Sequence, residues 1–201
     1  MKKRTLSLTL CSLYLLTILP TGLFSVEGEN RNHSNFHSSN YCCFPSSAKH
    51  ASRHWISAIN SESRVVEIED GSRWKLASPY YLGSWKNNDT LSITPNHNTS
   101  SQYNYYVVNK STGGYTEANL ILGPVAFGPL THWAVGFDFA KNHVFLENDS
   151  CWQVQDTDAY IMQEWEPNDT IIIGSNDSWF SSYNSILINV NMNNYVRAKS
   201  Y

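Results

Sequence analysis

Two passages of this chain are written twice, in the same order. Val66-Glu67-Ile68-Glu69-Asp70-Gly71-Ser72-Arg73-Trp74 returns as Val144-Phe145-Leu146-Glu147-Asn148-Asp149-Ser150-Cys151-Trp152. Trp85-Lys86-Asn87-Asn88-Asp89-Thr90-Leu91-Ser92-Ile93 returns as Trp165-Glu166-Pro167-Asn168-Asp169-Thr170-Ile171-Ile172-Ile173. The offset is 78 from His54-Trp55/His132-Trp133 to Leu76/Val154, and 80 from Trp85/Trp165 to Ala118/Ala198. Ordered matches on both sides of one short insertion mark a duplication. The chain must therefore fold one small unit twice, over 54–122 and 132–201, joined by a linker at 123–131.

Each copy reads as six short strands separated by turn signals. The first predicts strands near 54–60, 64–69, 72–77, 89–94, 103–109 and 115–122. The second predicts them near 132–139, 143–147, 151–155, 169–174, 183–190 and 195–200. Asp70-Gly71 supplies a tight hairpin turn, with Gly free to take positive φ. Asn148-Asp149 fills the same place with residues that tolerate left-handed geometry better than most. The insertion, Asp156 to Trp165, reads as one short helix capped by Asp156 or Thr157 and carrying Tyr160, Ile161 and Glu164. So many short antiparallel strands in so few residues close most economically into a small barrel, which leaves no exposed edge. The expected fold is all-β: tandem small antiparallel barrels of an SH3-like or OB-like sort, each with at most one short helix. Gly123-Pro124-Val125-Ala126-Phe127-Gly128-Pro129 is short and stiff and carries apolar side chains, so the barrels should touch.

The composition agrees. Hydrophobic residues make up 41% and charged residues 15%, with Trp 7 and Tyr 12, a balance that favours packed strands over disorder or helix. A formal net charge of -3 gives no pull toward nucleic acid or an anionic membrane. The one basic run, Lys2-Lys3-Arg4, precedes an apolar stretch from Leu6 to Leu19 and then Pro20. Residues 1–28 therefore read as a signal peptide, with cleavage after Ser25 or Gly28. The alternative is a retained anchor, the sole route to a membrane expected for this chain. Residues 29–53, rich in Ser, Asn and His, read as a flexible arm. The expected destination is periplasmic, outer-envelope or secreted.

Export leaves Cys42, Cys43 and Cys151, an odd number in an oxidising compartment. A disulfide from Cys42 or Cys43 to Cys151 is the expected pairing, worth about 4 kcal/mol in the chain-entropy picture. Because Cys151 stands where the first copy has Arg73, it is expected at the surface. No spacing among these cysteines and His33, His37 or His50 suits structural zinc, so no metal and no other cofactor is expected.

Residues kept in both copies are most simply explained by folding. Trp74/Trp152, Trp85/Trp165 and Tyr103/Tyr183 read as core or rim aromatics. His54 and His132 read as strand histidines with a satisfied ring, and Asp89 and Asp169 as carboxylates that accept backbone N–H groups in a turn. There is no Gly-x-Ser-x-Gly elbow, no phosphate-binding loop and no His-Glu-x-x-His pattern, so no catalytic residue is assigned. What the copies do not share is more informative. Asn176-Asp177-Ser178-Trp179-Phe180-Ser181-Ser182 stands where the first copy has Asn96-His97-Asn98-Thr99-Ser100-Ser101-Gln102. Trp179 and Phe180 either stack on a sugar or enter a protein partner, or else plug a barrel end or the seam between repeats. Tyr105 and Tyr106, with Tyr80 and Tyr81, would extend a binding surface.

The Asp-Gly-Ser-x-Trp hairpin, the Trp-x-x-Asn-Asp-x-x-x-Ile run and the Tyr-x-x-x-x-x-Asn strand together resemble small exported, duplicated proteins of uncharacterised function from chlamydia-type bacteria. The resemblance covers 54–201 and implies export and a β-rich unit. It assigns no catalytic residue. The reading is an exported, non-catalytic binding or envelope-associated module whose partner is a protein or a glycan. The alternative is a secreted hydrolase with a histidine and a carboxylate between the repeats. A histidine bonded to a carboxylate in a cleft would favour the enzyme, and an exposed row of aromatics would favour binding.

Overall fold

The computed structural model describes residues 53–201, which form two closed antiparallel barrels. The signal segment 1–28, residues 29–52 of the arm, Cys42 and Cys43 lie outside the described residues. In the first barrel, β1 (His54–Asn60), β2 (Val65–Ile68) and β3 (Arg73–Leu76) precede β4 (Thr90–Pro95), β5 (Tyr105–Asn109) and β6 (Tyr115–Leu122). Their order around the ring is β1-β2-β3-β6-β5-β4, and β4 pairs back to β1. The second barrel repeats that ring with β7 (Thr131–Asp138), β8 (His143–Leu146), β9 (Cys151–Val154), β10 (Thr170–Ser175), β11 (Ser185–Asn189) and β12 (Asn194–Ser200). The expected tandem of small six-stranded barrels is the fold.

Alternation builds the interiors. Val66 pairs with Trp74, and Val144 with Trp152, and all four are buried. The indole Nε1 of Trp74 donates to Ser72 Oγ at 3.1 Å, and that of Trp152 to Ser150 Oγ at 3.0 Å. The two tryptophans thus keep the same cross-strand partner and the same indole bond. Both first strands bulge at the same place, between Ile56 and Ala58 and between Ala134 and Gly136. Both hairpins turn through positive φ, at Gly71 (80°) and at Asp149 (63°).

The insertion is a 3-10 turn, Asp156–Asp158, running into a single helical turn, α1 (Ala159–Met162). The expected side-chain cap by Asp156 or Thr157 is not made. Gln155 holds the cap position without a side-chain bond. Asp156 Oδ1 accepts instead from Asn142 Nδ2, and Thr157 faces Arg197. A turn this short offers few orphan N–H groups, so distant donors take the acids.

The linker is clamped to the first barrel. Val125 and Ala126 donate their N–H groups to Asp70 O, and Thr131 Oγ1 donates to the buried Asp70 carboxylate. Phe127 packs edge-on against Trp133. Beyond the linker the barrels meet through β4 and β10. In the first copy the outward residues of the paired strands are Ser92, Tyr106 and Val108. Their counterparts are Ile172, Ile186 and Ile188, which are fully buried in the core cluster of the first barrel. Strands β10 and β11 are therefore buried on both faces, and their alternation gives way to continuous apolar runs. Each fully buried isoleucine contributes about 1.5–3 kcal/mol. At Gly174 the backbones come so close that an added Cβ would lie 2.6 Å from Ile93 O.

Candidate functional site

Each barrel buries one histidine–glutamate pair. His54 Nδ1 lies 2.6 Å from Glu69 Oε1, and His132 Nδ1 lies 2.6 Å from Glu147 Oε1. The second oxygen of each glutamate accepts the N–H of the following tryptophan, Trp55 or Trp133. Local folding explains the pair, because the glutamate directly follows the strand that runs beside the histidine's own.

The other ring nitrogens differ between the copies. His54 Nε2 lies 3.0 Å from Ile173 O of the second barrel. A carbonyl only accepts, so Nε2 carries a proton, and one further proton sits between Nδ1 and Glu69. That pair is net neutral, with side chains 1% and 3% exposed. His132 Nε2 faces Asn148 Nδ2 at 3.3 Å. Asn148 Oδ1 accepts from Ser150 N, which fixes the amide orientation, so Nε2 of His132 is an acceptor and Nδ1–H donates to Glu147. This pair carries one net negative charge and is less buried, at 8% and 17%. A cavity of about 250 Å³ beside His54 also touches Ser92 and Ser175. Ser92 Oγ donates to Ser175 Oγ at 2.8 Å, and no hydroxyl is bonded to either histidine among the described residues.

The expected roles of Asp89 and Asp169 hold. Each Oδ2 accepts the N–H three residues back, from Lys86 or Glu166, and a side-chain amide, from Asn109 or Asn189.

Trp179 is 90% exposed and Phe180 95% exposed, which overturns their reading as a barrel plug or seam filler. Their loop is held by its own base. Asn176 Nδ2 donates to Tyr183 O at 2.6 Å, Ser178 N donates to Asn176 Oδ1, and Tyr183 N donates to Ser181 Oγ. The first copy repeats this frame through Asn96, Tyr103, Asn98 and Ser101. The two loops meet where His97 Nε2 approaches Asp177 Oδ1 at 3.0 Å.

Tyr106 is half-buried at the surface, in a run of rings from exposed Tyr80 through Tyr81 and Tyr115. Tyr105 corrects the expectation. It is fully buried, edge-on to Trp74 at 5.4 Å and tilted against Tyr195 at 5.8 Å. Adjacent strand residues point to opposite faces, so Tyr105 and Tyr106 cannot share one surface. The Tyr105 hydroxyl is buried with no partner among the described residues, and Tyr105 is one of the residues lining a polar groove of about 560 Å³ between the repeats.

That groove is lined by loop 96–104 on one side and by Asp158, Tyr160, Asn193, Asn194, Tyr195 and Arg197 on the other. Arg197 donates to both oxygens of Asp158, at 2.8 Å through Nε and 2.5 Å through Nη2. Burial alone would raise the Asp158 carboxyl, but hydrogen bonds and charge from Arg197 outweigh it and hold the group below the ordinary range. Asn194 Oδ1 accepts from Trp165 Nε1 at 2.8 Å. Gly114 holds that position in the first copy, with Tyr81 packed against it, and Trp85 Nε1 has no partner among the described residues.

Cys151 also corrects the expectation. It is 3% exposed and disulfide-bonded. No other cysteine is among the described residues, so its partner lies outside them. The outward face expected to be wet carries His143 and Phe145 beside it, both buried, where the first copy has Val65 and Glu67.

Sequence reasoning missed the histidine–glutamate pairs as units, although His and Glu recur 15 residues apart in both copies. It also missed the groove, whose second wall comes from the unrepeated insertion and the loop before β12. Among the described residues no cluster of His, Cys, Asp and Glu suits a metal ion, and no helix is long and apolar enough to cross a membrane. Set against protein-family models, curated proteins and solved structures, the chain matches none of them.

Proposed function

We propose that this chain is an exported, non-catalytic binding module that holds a protein or glycan partner through the loop bearing Trp179 and Phe180. The observation that carries the reading is internal to the molecule. The same loop frame folds in the first copy with Thr99 and Ser100 at the tip, so the fold does not require aromatics there. Two large rings held almost wholly in water on a pre-organised loop lose little conformational freedom on binding. His54 bonded to Glu69 beside a cavity meets the condition set for a hydrolase between the repeats. Both ring nitrogens of His54 and of His132 are engaged, however, and no hydroxyl is bonded to either among the described residues, which supports binding over the enzyme. Export fits the Lys2-Lys3-Arg4 leader and a disulfide at Cys151, which we assign to Cys42 or Cys43.

The test compares the intact chain with a Trp179→Ala, Phe180→Ala double variant in pull-downs on peptidoglycan, neutral glycans and envelope protein extracts. The variant should keep its thermal midpoint, since surface changes of this kind alter stability within about 0.5 kcal/mol, and should lose retention. Equal retention of both proteins sinks the reading.

A further inference from the structure

We infer that the groove between the repeats, floored by Tyr105 and walled by Asn104, Asn193, Asn194 and Tyr160, is a binding site for a neutral saccharide. The inference rests on the protein being a binding module, but it does not depend on the Trp179–Phe180 loop. Its starting point is Tyr105, a fully buried residue among those that line the groove, whose hydroxyl has no partner among the described residues. A buried hydroxyl left unpaired costs about 1–3 kcal/mol, so a native protein keeps one where something else satisfies it. Burial pushes its phenol well above the ordinary tyrosine value, so it stays protonated and able to donate at any physiological pH.

Charge narrows the ligand. The charged groups that line the groove are Asp158, Arg197 and His97. Asp158 and Arg197 are spent on each other, and His97 faces Asp177. An anionic ligand would find no uncompensated cation, and a cationic one no free carboxylate. A peptide that binds by adding a strand to a sheet edge would find none in two closed barrels. An apolar ligand would strand the wall amides. Side-chain amides and phenols present donors and acceptors together, which is what vicinal sugar hydroxyls need. Tyr160, 68% exposed, adds a ring face for sugar C–H groups.

The experiment is affinity electrophoresis of the full chain in gels containing hydroxyethyl cellulose, glycol chitin or mannan, with carboxymethyl cellulose as the anionic comparator. The chain should be retarded by at least one neutral polymer and less by the charged one. Tyr105→Phe, which removes only the hydroxyl, should weaken that retardation about fivefold while its thermal midpoint stays level or rises. Absence of retardation by all three neutral polymers overturns the inference, as does unchanged retardation of Tyr105→Phe. A lowered midpoint also overturns it, because the hydroxyl would then have an internal partner. Loss of retention in the Trp179→Ala, Phe180→Ala protein with none in Tyr105→Phe overturns the groove and keeps the loop. The reverse pattern keeps the groove and sinks the loop.

Discussion

The two histidine–glutamate pairs have the same spacing and the same 2.6 Å contact, yet they hold different numbers of protons. In the first barrel a glutamine replacing Glu69 can donate to His54 Nδ1 and still accept from Trp55 N, because Nε2–H already serves Ile173 O. In the second, Asn148 keeps His132 Nε2 as an acceptor, so a glutamine at 147 sets one donor against another. Glu69→Gln should therefore change stability by less than about 1 kcal/mol, and Glu147→Gln should cost about 1–3 kcal/mol. Paired urea melts read the order, and the opposite order would contradict the proton count. The pairs were legible in outline, since a histidine and a glutamate recur at fixed spacing. Their difference was not, because it depends on one cross-barrel carbonyl and one asparagine supplied by the turn.

Strands were the most legible elements, since hydrophobic alternation and turn residues bracket each one locally. The helix was legible in place but not in its cap. Asp158 and Arg197, which tie the helical turn to β12, are 39 residues apart, and no local pattern reports such a pair. Its consequence is a pH dependence. The folded carboxyl of Asp158 sits below its ordinary value of 3.8, so its stabilising contribution is complete above that value and disappears as acid protonates it. Thermal midpoints should fall more steeply below about pH 4 for the intact chain than for Asp158→Asn, which has no such proton to take up. The β4–β10 contact gives a second test. Gly174→Ala would drive a methyl group against Ile93 O, a backbone atom that cannot swing away. That substitution should cost about 1–3 kcal/mol, by the usual penalty for overpacking. A neutral result in a chemical melt would show that the strands part easily.

At the scale of the whole molecule, the duplication was plain in the sequence and the asymmetry of its halves was not. The run Ile171-Ile172-Ile173 against Leu91-Ser92-Ile93 was the visible trace, but burial on both faces of a strand cannot be told from composition without knowing what packs there. Because Ile172, Ile186 and Ile188 sit in the core cluster of the other barrel, heat should unfold the two together. Calorimetry should show one transition. Ile172→Ser, which installs the first copy's residue, should cost about 2–5 kcal/mol and pull that transition toward two. The tripled isoleucine also limits how such a chain can grow. A third unit duplicated from the second copy would arrive with a greasy flank and nothing to shelter it, whereas one duplicated from the first would bring serine there. Tandem lengthening of this architecture can therefore add a polar-sided barrel alone, but an oily-sided one only beside a polar-sided neighbour that shields it.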